Sequence, residues 1–213
     1  MIPRAVKWIA DRVAAALLLL VFSPFLLAIA FWIVVDAGRP VVFRQQRAGK
    51  DGRPFGMLKF RTMVNNASEL GLELGLTDDP FGVLPDDPRI TRSGRFLRRF
   101  NLDELPQLWN VLVGQMSLVG PRPDVVEQVA NYEPRDRRRL DVLPGITGLA
   151  QVEGRDEIPW EKRFELDSWY VENWSLGLDL RILFRTLTEF GRPEPAPIPD
   201  RLNVERAKAA NRR

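Results

Sequence analysis

The chain of 213 residues contains neither cysteine nor histidine. Those two absences together remove disulfides, thiolate nucleophiles, zinc clusters and histidine general bases. Chemistry must come from carboxylates, lysine, arginine, hydroxyls or a hard metal ion. Also missing are any internal repeat and the Gly-Lys-Ser/Thr loop of P-loop NTPases. No nucleic-acid motif is present, so nucleic acid is not an expected partner. Net charge is only +3, but 28% of residues are charged, which suits one moderate wetted domain beside a membrane segment. Arginine dominates locally, so phosphates and anionic lipid surfaces fit as partners.

What is present is one long uncharged run, the 23 residues from Val13 to Val35, with Ser23-Pro24 at its centre. At about 1.5 Å rise per residue a straight helix of that length crosses a bilayer core of roughly 30 Å. Two features oppose a simple span. Pro24 lacks an amide donor and its ring crowds the preceding turn, so the run divides into Val13–Phe22 and Phe25–Val35, each about one leaflet deep at 1.5 Å per residue. Basic residues also flank both ends: Arg4, Lys7 and Arg12 before, and Arg39, Arg44, Arg47, Lys50 and Arg53 after. Basic flanks favour the cytoplasmic side, so both ends are expected inside. A helix–break–helix that dips in and returns satisfies both, with the Ser23 hydroxyl serving backbone groups freed at the break. The rival is a kinked spanning helix. A signal peptide is disfavoured by the length of the run and by the lack of a small-residue cleavage site.

Beyond the run, Val41–Gln46 and Phe55–Thr62 flank a turn-rich linker and read as a β-hairpin. Residues Asn65–Asp87 suit a short helix followed by loops. Helices are expected at Ser93–Phe100, Glu104–Leu112, Val125–Tyr132 and Arg135–Leu143, with a turn-rich loop from Gly114 to Pro123. Leu176, Leu180, Leu183, Leu187 and Phe190 make one apolar stripe on a late helix, which reads as core packing. Upstream, Trp160, Trp169, Tyr170 and Trp174 are of the kind that settle at a membrane interface. From Gly191 the prolines and polar basic end read as a disordered tail. The organisation is thus a membrane segment over 1–40, a domain over 41–190 and a tail over 191–213. The fold class is an α-rich α+β one, with a re-entrant helix, a β-hairpin and interfacial amphipathic helices.

The densest chemistry lies between Asp87 and Pro106. Arg92, Arg95 and Arg99 share a helical face, with Arg98 about a quarter turn from Arg95. Such a fork suits a substrate with two phosphates, and equally a basic face near anionic lipid. Asp103 and Glu104 stand where a helix is expected to begin. Either they cap it and favour its positive end, or they divide two tasks, one attacking phosphorus and one holding Mg²⁺. Pro121-Arg122-Pro123 holds an arginine between two fixed φ angles, as an aimed contact or an ordinary turn. Lys59 and Arg61 alternate on one face of the second hairpin strand, where they add charge to the same site or are solvated.

Taken together, Lys59–Met63, Asp87–Thr91, Leu102–Leu112, Met116–Pro123, Pro144–Gly148 and Trp160–Asn173 resemble, in order, the motifs of the bacterial sugar transferase family. These are the monotopic polyprenyl-phosphate phosphoglycosyl transferases, and the likeness covers about residues 7 to 190, in the size of their minimal catalytic form. The resemblance implies a re-entrant helix broken at Ser23-Pro24, on the cytoplasmic face of a bacterial inner membrane. It implies that Asp103 attacks the β-phosphate of a UDP-sugar, expelling UMP and leaving a phosphosugar on the enzyme. Polyprenyl phosphate, typically undecaprenyl phosphate, then takes the sugar-1-phosphate. By the same resemblance Glu104 is catalytic and ligates Mg²⁺, while Lys59, Arg89, Arg98 and the Pro121-Arg122-Pro123 element bind substrate. The product would begin glycoconjugate or exopolysaccharide synthesis. The alternative is a non-enzymatic membrane scaffold that binds anionic lipids. The sugar is not legible, and oligomeric state is open, a homodimer included.

Overall fold

The computed structural model describes residues 4–74, 87–154 and 158–189. The expected tail from Gly191 lies outside them. Helix α1 (Arg4–Ala37) takes in the whole apolar run, and Pro24 lies inside it rather than between two helices. Proline removes one hydrogen bond, the one that would reach the Leu20 carbonyl four residues back. The Ser23 hydroxyl donates to that carbonyl instead, at 2.8 Å.

The middle of α1 is bare, with Leu20, Leu27 and Phe31 each more than 70% exposed. Its ends are not. Near the start, Lys7 Nζ pairs with Asp179 at 2.8 Å, Arg4 donates to the Val171 carbonyl, and the Ser117 hydroxyl donates to Asp11. At the finish, the Ser93 amide and hydroxyl both donate to Asp36 at 2.8 Å. Arg61 donates to the carbonyls of Ala37, Gly38 and Arg39, at 2.6, 2.6 and 3.1 Å. Arg61 is therefore buried at the carbonyl end of α1, where unpaired C=O groups need donors, and adds no charge to the site beside Lys59.

Strands β1 (Val42–Ala48) and β2 (Pro54–Phe60) form the expected hairpin, antiparallel, with Phe43 opposite Lys59 and Arg47 opposite Phe55. After α2 (Ala67–Glu73), helix α3 (Arg92–Arg99) starts at Thr91, whose hydroxyl accepts from the Gly94 amide at 2.9 Å. A Cβ on Gly94 would stand 2.1 Å from the Thr62 carbonyl oxygen, so only glycine lets α3 lie this close to the end of the hairpin. A single 3₁₀ turn (Leu102–Glu104) leads to α4 (Gln107–Leu112), where one longer helix was expected. Strand β3 (Ser117–Val119) lies within the segment expected to be loop; three residues are too few for an alternation signal. After α5 (Val126–Val129) and a 3₁₀ stretch (Asp136–Asp141), β3 pairs in parallel with β4 (Gly145–Thr147). Gly120 and Gly145 meet backbone to backbone there, a Cβ on Gly145 falling 2.1 Å from the Gly120 nitrogen.

Three helices follow, α6 (Leu149–Glu153), α7 (Trp160–Glu172) and α8 (Leu176–Glu189). The α8 stripe expected to pack inward is split: Leu180 and Leu187 face outward beside Phe184, each more than two-thirds exposed, Leu183 packs against the core, and Phe190 lies outside the described residues. Ile182 is buried in their place, flanked by Leu178 and Leu183. Apolar residues occur on more than one side of α8, so periodicity alone did not choose the face. Tyr170 likewise turns inward, its hydroxyl donating to Asp179 at 2.7 Å, whereas Trp169 stays half exposed.

Among the described residues the apolar core has three parts, and α1 belongs to two. Ala15 packs with Phe55, Met57, Leu108, Val111 and Met116. Ile29 and Ile33 pack with Phe60, Leu97 and Leu102. The third gathers Val119, Leu149, Val152, Tyr170, Val171 and Ile182.

Candidate active site

Asp103 sits within the 3₁₀ turn, which the chain enters through Asn101 in a left-handed conformation (φ 52°). The cap positions fall to Asn101 before this turn and to Pro106 before α4, so Asp103, inside the turn, does not take up the capping role offered to it. Leu102 beside it is anchored among Ile29, Ile33 and Leu97. The Asp103 carboxyl is thereby held nearly buried, at 8% exposure.

Glu104 points into a pair of cations. Its Oε1 accepts from Lys59 Nζ at 2.9 Å and from Arg122 Nη2 at 2.7 Å, and Oε2 faces Arg122 Nη1 at 3.3 Å. Arg98 stands on the α3 side, its Nε donating to the Thr62 hydroxyl at 2.9 Å. The adjacent carboxyls are driven apart in acidity. Burial and the negative Glu104 push Asp103 above the usual carboxylate range, against Lys59, Arg98 and Arg122. Burial opposes ionisation of Glu104 too, but Arg122 and Lys59 outweigh it and hold that group below the usual range. Glu104 is the standing anion of the pair, and Asp103 is the group whose charge depends on pH.

Arg122 is aimed by its backbone. Four successive carbonyls from Pro121 to Asp124 accept from four different places. These donors are the Gly145 amide at 2.9 Å, Arg139 Nη2 at 2.9 Å, Arg47 Nη1 at 3.4 Å and the Ala48 amide at 2.9 Å. Arg139 is itself buried between Asp124 and Asp167, 2.7 Å from the latter, and its Nη1 also donates to the Tyr132 hydroxyl. Burial raises Asp167 to about 6, only partly relieved by Arg139. Nothing local in the sequence marked Arg139, Asp124, Asp167 or Tyr132, whose meeting is a tertiary event.

Of the residues singled out from sequence, Lys59, Arg98, Asp103, Glu104 and Arg122 thus come together, with Pro121 and Pro123 framing the last. Arg89 does not join them in the same way. It is 4% exposed and turned onto Asp87, with Nε contacts of 3.0 and 3.1 Å and an Nη2 contact of 2.8 Å. Arg89 braces the loop leading to α3 and holds Asp87 below the usual carboxylate range. Ser23 and Pro24 lie in α1, within the bare stretch.

Among the described residues no cluster of three or more acidic side chains could hold a metal alone. Mg²⁺ commonly takes one or two carboxylates and completes its shell with water and substrate phosphates, and the Glu104 carboxylate fits that mode. The assembly is a buried carboxylate, a fixed anion beside it and three cations around them. It can neutralise a pyrophosphate while presenting an oxygen nucleophile to phosphorus.

A family model described as bacterial sugar transferase matches residues 2–192. A Bacillus subtilis protein, "Uncharacterized sugar transferase EpsL", is 45% identical over 181 residues, which make up 85% of each chain. The "Undecaprenyl-phosphate galactose phosphotransferase" of Salmonella typhimurium is 43% identical over 191 residues, 86% of this chain and 40% of that one. The "UDP-glucose:undecaprenyl-phosphate glucose-1-phosphate transferase" of Klebsiella pneumoniae is 42% identical over 189 residues, 85% and 39% of the two chains. The chain therefore spans most of the shorter relative and about two-fifths of the longer ones.

Proposed function

The chain belongs to the bacterial sugar transferase family, and on that premise we propose that it is a phosphoglycosyl transferase that moves a sugar-1-phosphate from a UDP-sugar to undecaprenyl phosphate. The observation that carries this reading is Asp103, buried and set beside a Glu104 already neutralised by Lys59 and Arg122. The relatives named as transferring galactose or glucose phosphate to that lipid support the substrate class.

The chemistry takes two displacements at one phosphorus. An Asp103 carboxylate oxygen attacks the β-phosphorus; the bond from that phosphorus to the bridging oxygen breaks, and UMP leaves with the bonding pair. The lipid phosphate oxygen then attacks the same phosphorus, and the acyl-phosphate bond breaks, returning a free Asp103 carboxylate and a polyprenyl diphosphate sugar. Lys59, Arg122 and Arg98, the three cations that act on Asp103, would neutralise the charge that grows on the leaving nucleotide. Mg²⁺ would be held by Glu104 with the substrate phosphates, and supplies further neutralisation of phosphate charge.

The lipid acceptor demands a site at the membrane surface, and α1 supports a monotopic arrangement on the cytoplasmic face. A helix whose first and last turns both bind the same charged domain, through Asp179 and Ser117 at one end and Ser93 and Arg61 at the other, would keep both ends on one side of the bilayer. The bare centre around Pro24 is then the part that enters lipid as a re-entrant segment. The exposed Leu180, Phe184 and Leu187 of α8 would rest at the same surface.

The test is intact-mass spectrometry of purified protein with Mg²⁺ and a panel of UDP-sugars, without lipid. A phosphosugar adduct is expected, absent from Asp103→Asn, with overall turnover reduced by at least about 10³-fold. UMP release that requires lipid, with no adduct from any donor, would exclude Asp103 as nucleophile.

A further inference from the structure

Arg47 has no part in the chemistry described above, yet it stands beside it. The hairpin register sets Phe43 opposite Lys59, Gln45 opposite Met57 and Arg47 opposite Phe55, so Gln45 and Arg47 share a sheet face with Lys59. Exposure agrees: Gln45 and Arg47 are half-buried, whereas Arg44 and Gln46 are exposed. Gln45 Oε1 accepts from Arg47 Nε at 3.2 Å and from Nη2 at 2.9 Å, and Nη1 reaches the Pro123 carbonyl at 3.4 Å. A guanidinium carries five N–H groups, so two remain to be used.

The charge around Arg47 is unbalanced. Arg122, Asp124, Glu104 and Glu127 act on it, and burial together with Arg122 brings its pKa down to about 10. Asp124, however, is engaged by Arg139 and Tyr132, and Glu104 by Lys59 and Arg122. Arg47, on β1 beside the pinned loop and facing Arg122, has no carboxylate of its own, and an anion would complete it. The Arg47 backbone lies four residues along β1 from the level of Lys59, roughly 13 Å at 3.3 Å per residue, and its guanidinium spans part of that gap, against Gln45 and the Pro123 carbonyl and within the field of Arg122 and Glu104. A nucleotide sugar attacked at its distal phosphorus by Asp103 must extend its leaving half away from that carboxylate, and Arg122 followed by Arg47 marks one such path.

We propose that Arg47, oriented by Gln45, binds the phosphate of the departing nucleoside monophosphate and so acts on the nucleotide half of the reaction. This rests on the donor chemistry proposed above. The experiment uses the full chain in lipid nanodiscs, with UMP as the probe. UMP affinity is measured by titration, and the discharge of the preformed phosphosugar adduct is followed with UMP or with polyprenyl phosphate. Arg47→Met is expected to weaken UMP binding at least tenfold and to lower the ratio of UMP-driven to lipid-driven discharge by a similar factor. Arg47→Lys, which keeps the charge but loses the fork onto Gln45, should recover part of both. Unchanged UMP affinity, or both discharges slowed equally by Arg47→Met and Arg47→Lys, would overturn the assignment. Failure of the unchanged protein to form an adduct would sink the covalent reading alone, since the UMP titration still judges Arg47.

Discussion

At the scale of single residues, the site works by giving two neighbouring carboxyls different fates. Glu104 meets both cations directly and stays ionised, while Asp103, one position earlier, feels them at longer range and is held above the usual carboxylate range. An attacking Asp103 must be ionised, so the rate of adduct formation should rise with pH as its proton is lost. Lys59 opposes this upward shift of the Asp103 pKa, and removing it pushes the pKa further up. Lys59→Met should therefore shift the acid limb of the pH–rate profile to higher pH and slow the reaction at neutral pH by about 10²-fold or more. Adduct formation followed across pH checks this; an unmoved acid limb would mean that Asp103 does not set it.

At the scale of elements, the Pro-Arg-Pro loop shows how a flexible connection is made rigid by what surrounds it. Its carbonyls are held by β4, by Arg139 and by the end of β1. Arg139 is the interior member, and its loss leaves Asp124 and Asp167 buried without their cation. Breaking such a pair costs about 3–5 kcal/mol, so Arg139→Met should lower Tm by on the order of 10 °C. It should also loosen Arg122 and raise the KM for the nucleotide sugar, as measured by donor titration. This level was the hardest to read in advance. The hairpin, α3 and the Asp103–Glu104 pair were legible because turn residues, local periodicity and adjacent carboxyls are near in sequence. The three-residue strands β3 and β4 carry no period, and Arg139 meets Asp124 and Asp167 only after folding. Arg89 and Arg61 looked like Lys59 and Arg122 in the sequence. Only the placement of Asp87 and of the end of α1 distinguishes them.

At the scale of the whole molecule, α1 behaves as a handle fixed at both ends, roughly 51 Å long at 1.5 Å per residue. The native absence of cysteine makes its topology easy to test. Ala5→Cys and Arg53→Cys, made singly, should react with an impermeant maleimide from the same face of oriented vesicles; opposite faces would mean a spanning helix. The same handle fills two of the three apolar clusters from beneath, Ala15 under the hairpin and α4, and Ile29 with Ile33 under Leu102. Along its length the helix thus has two different sides, one bare and apolar and the other packed on protein. There is accordingly no water-soluble enzyme to be carved from this chain by cutting away its anchor. Nor would a foreign hydrophobic segment of equal length serve in its place, because the floor beneath Asp103 is built from the anchor itself.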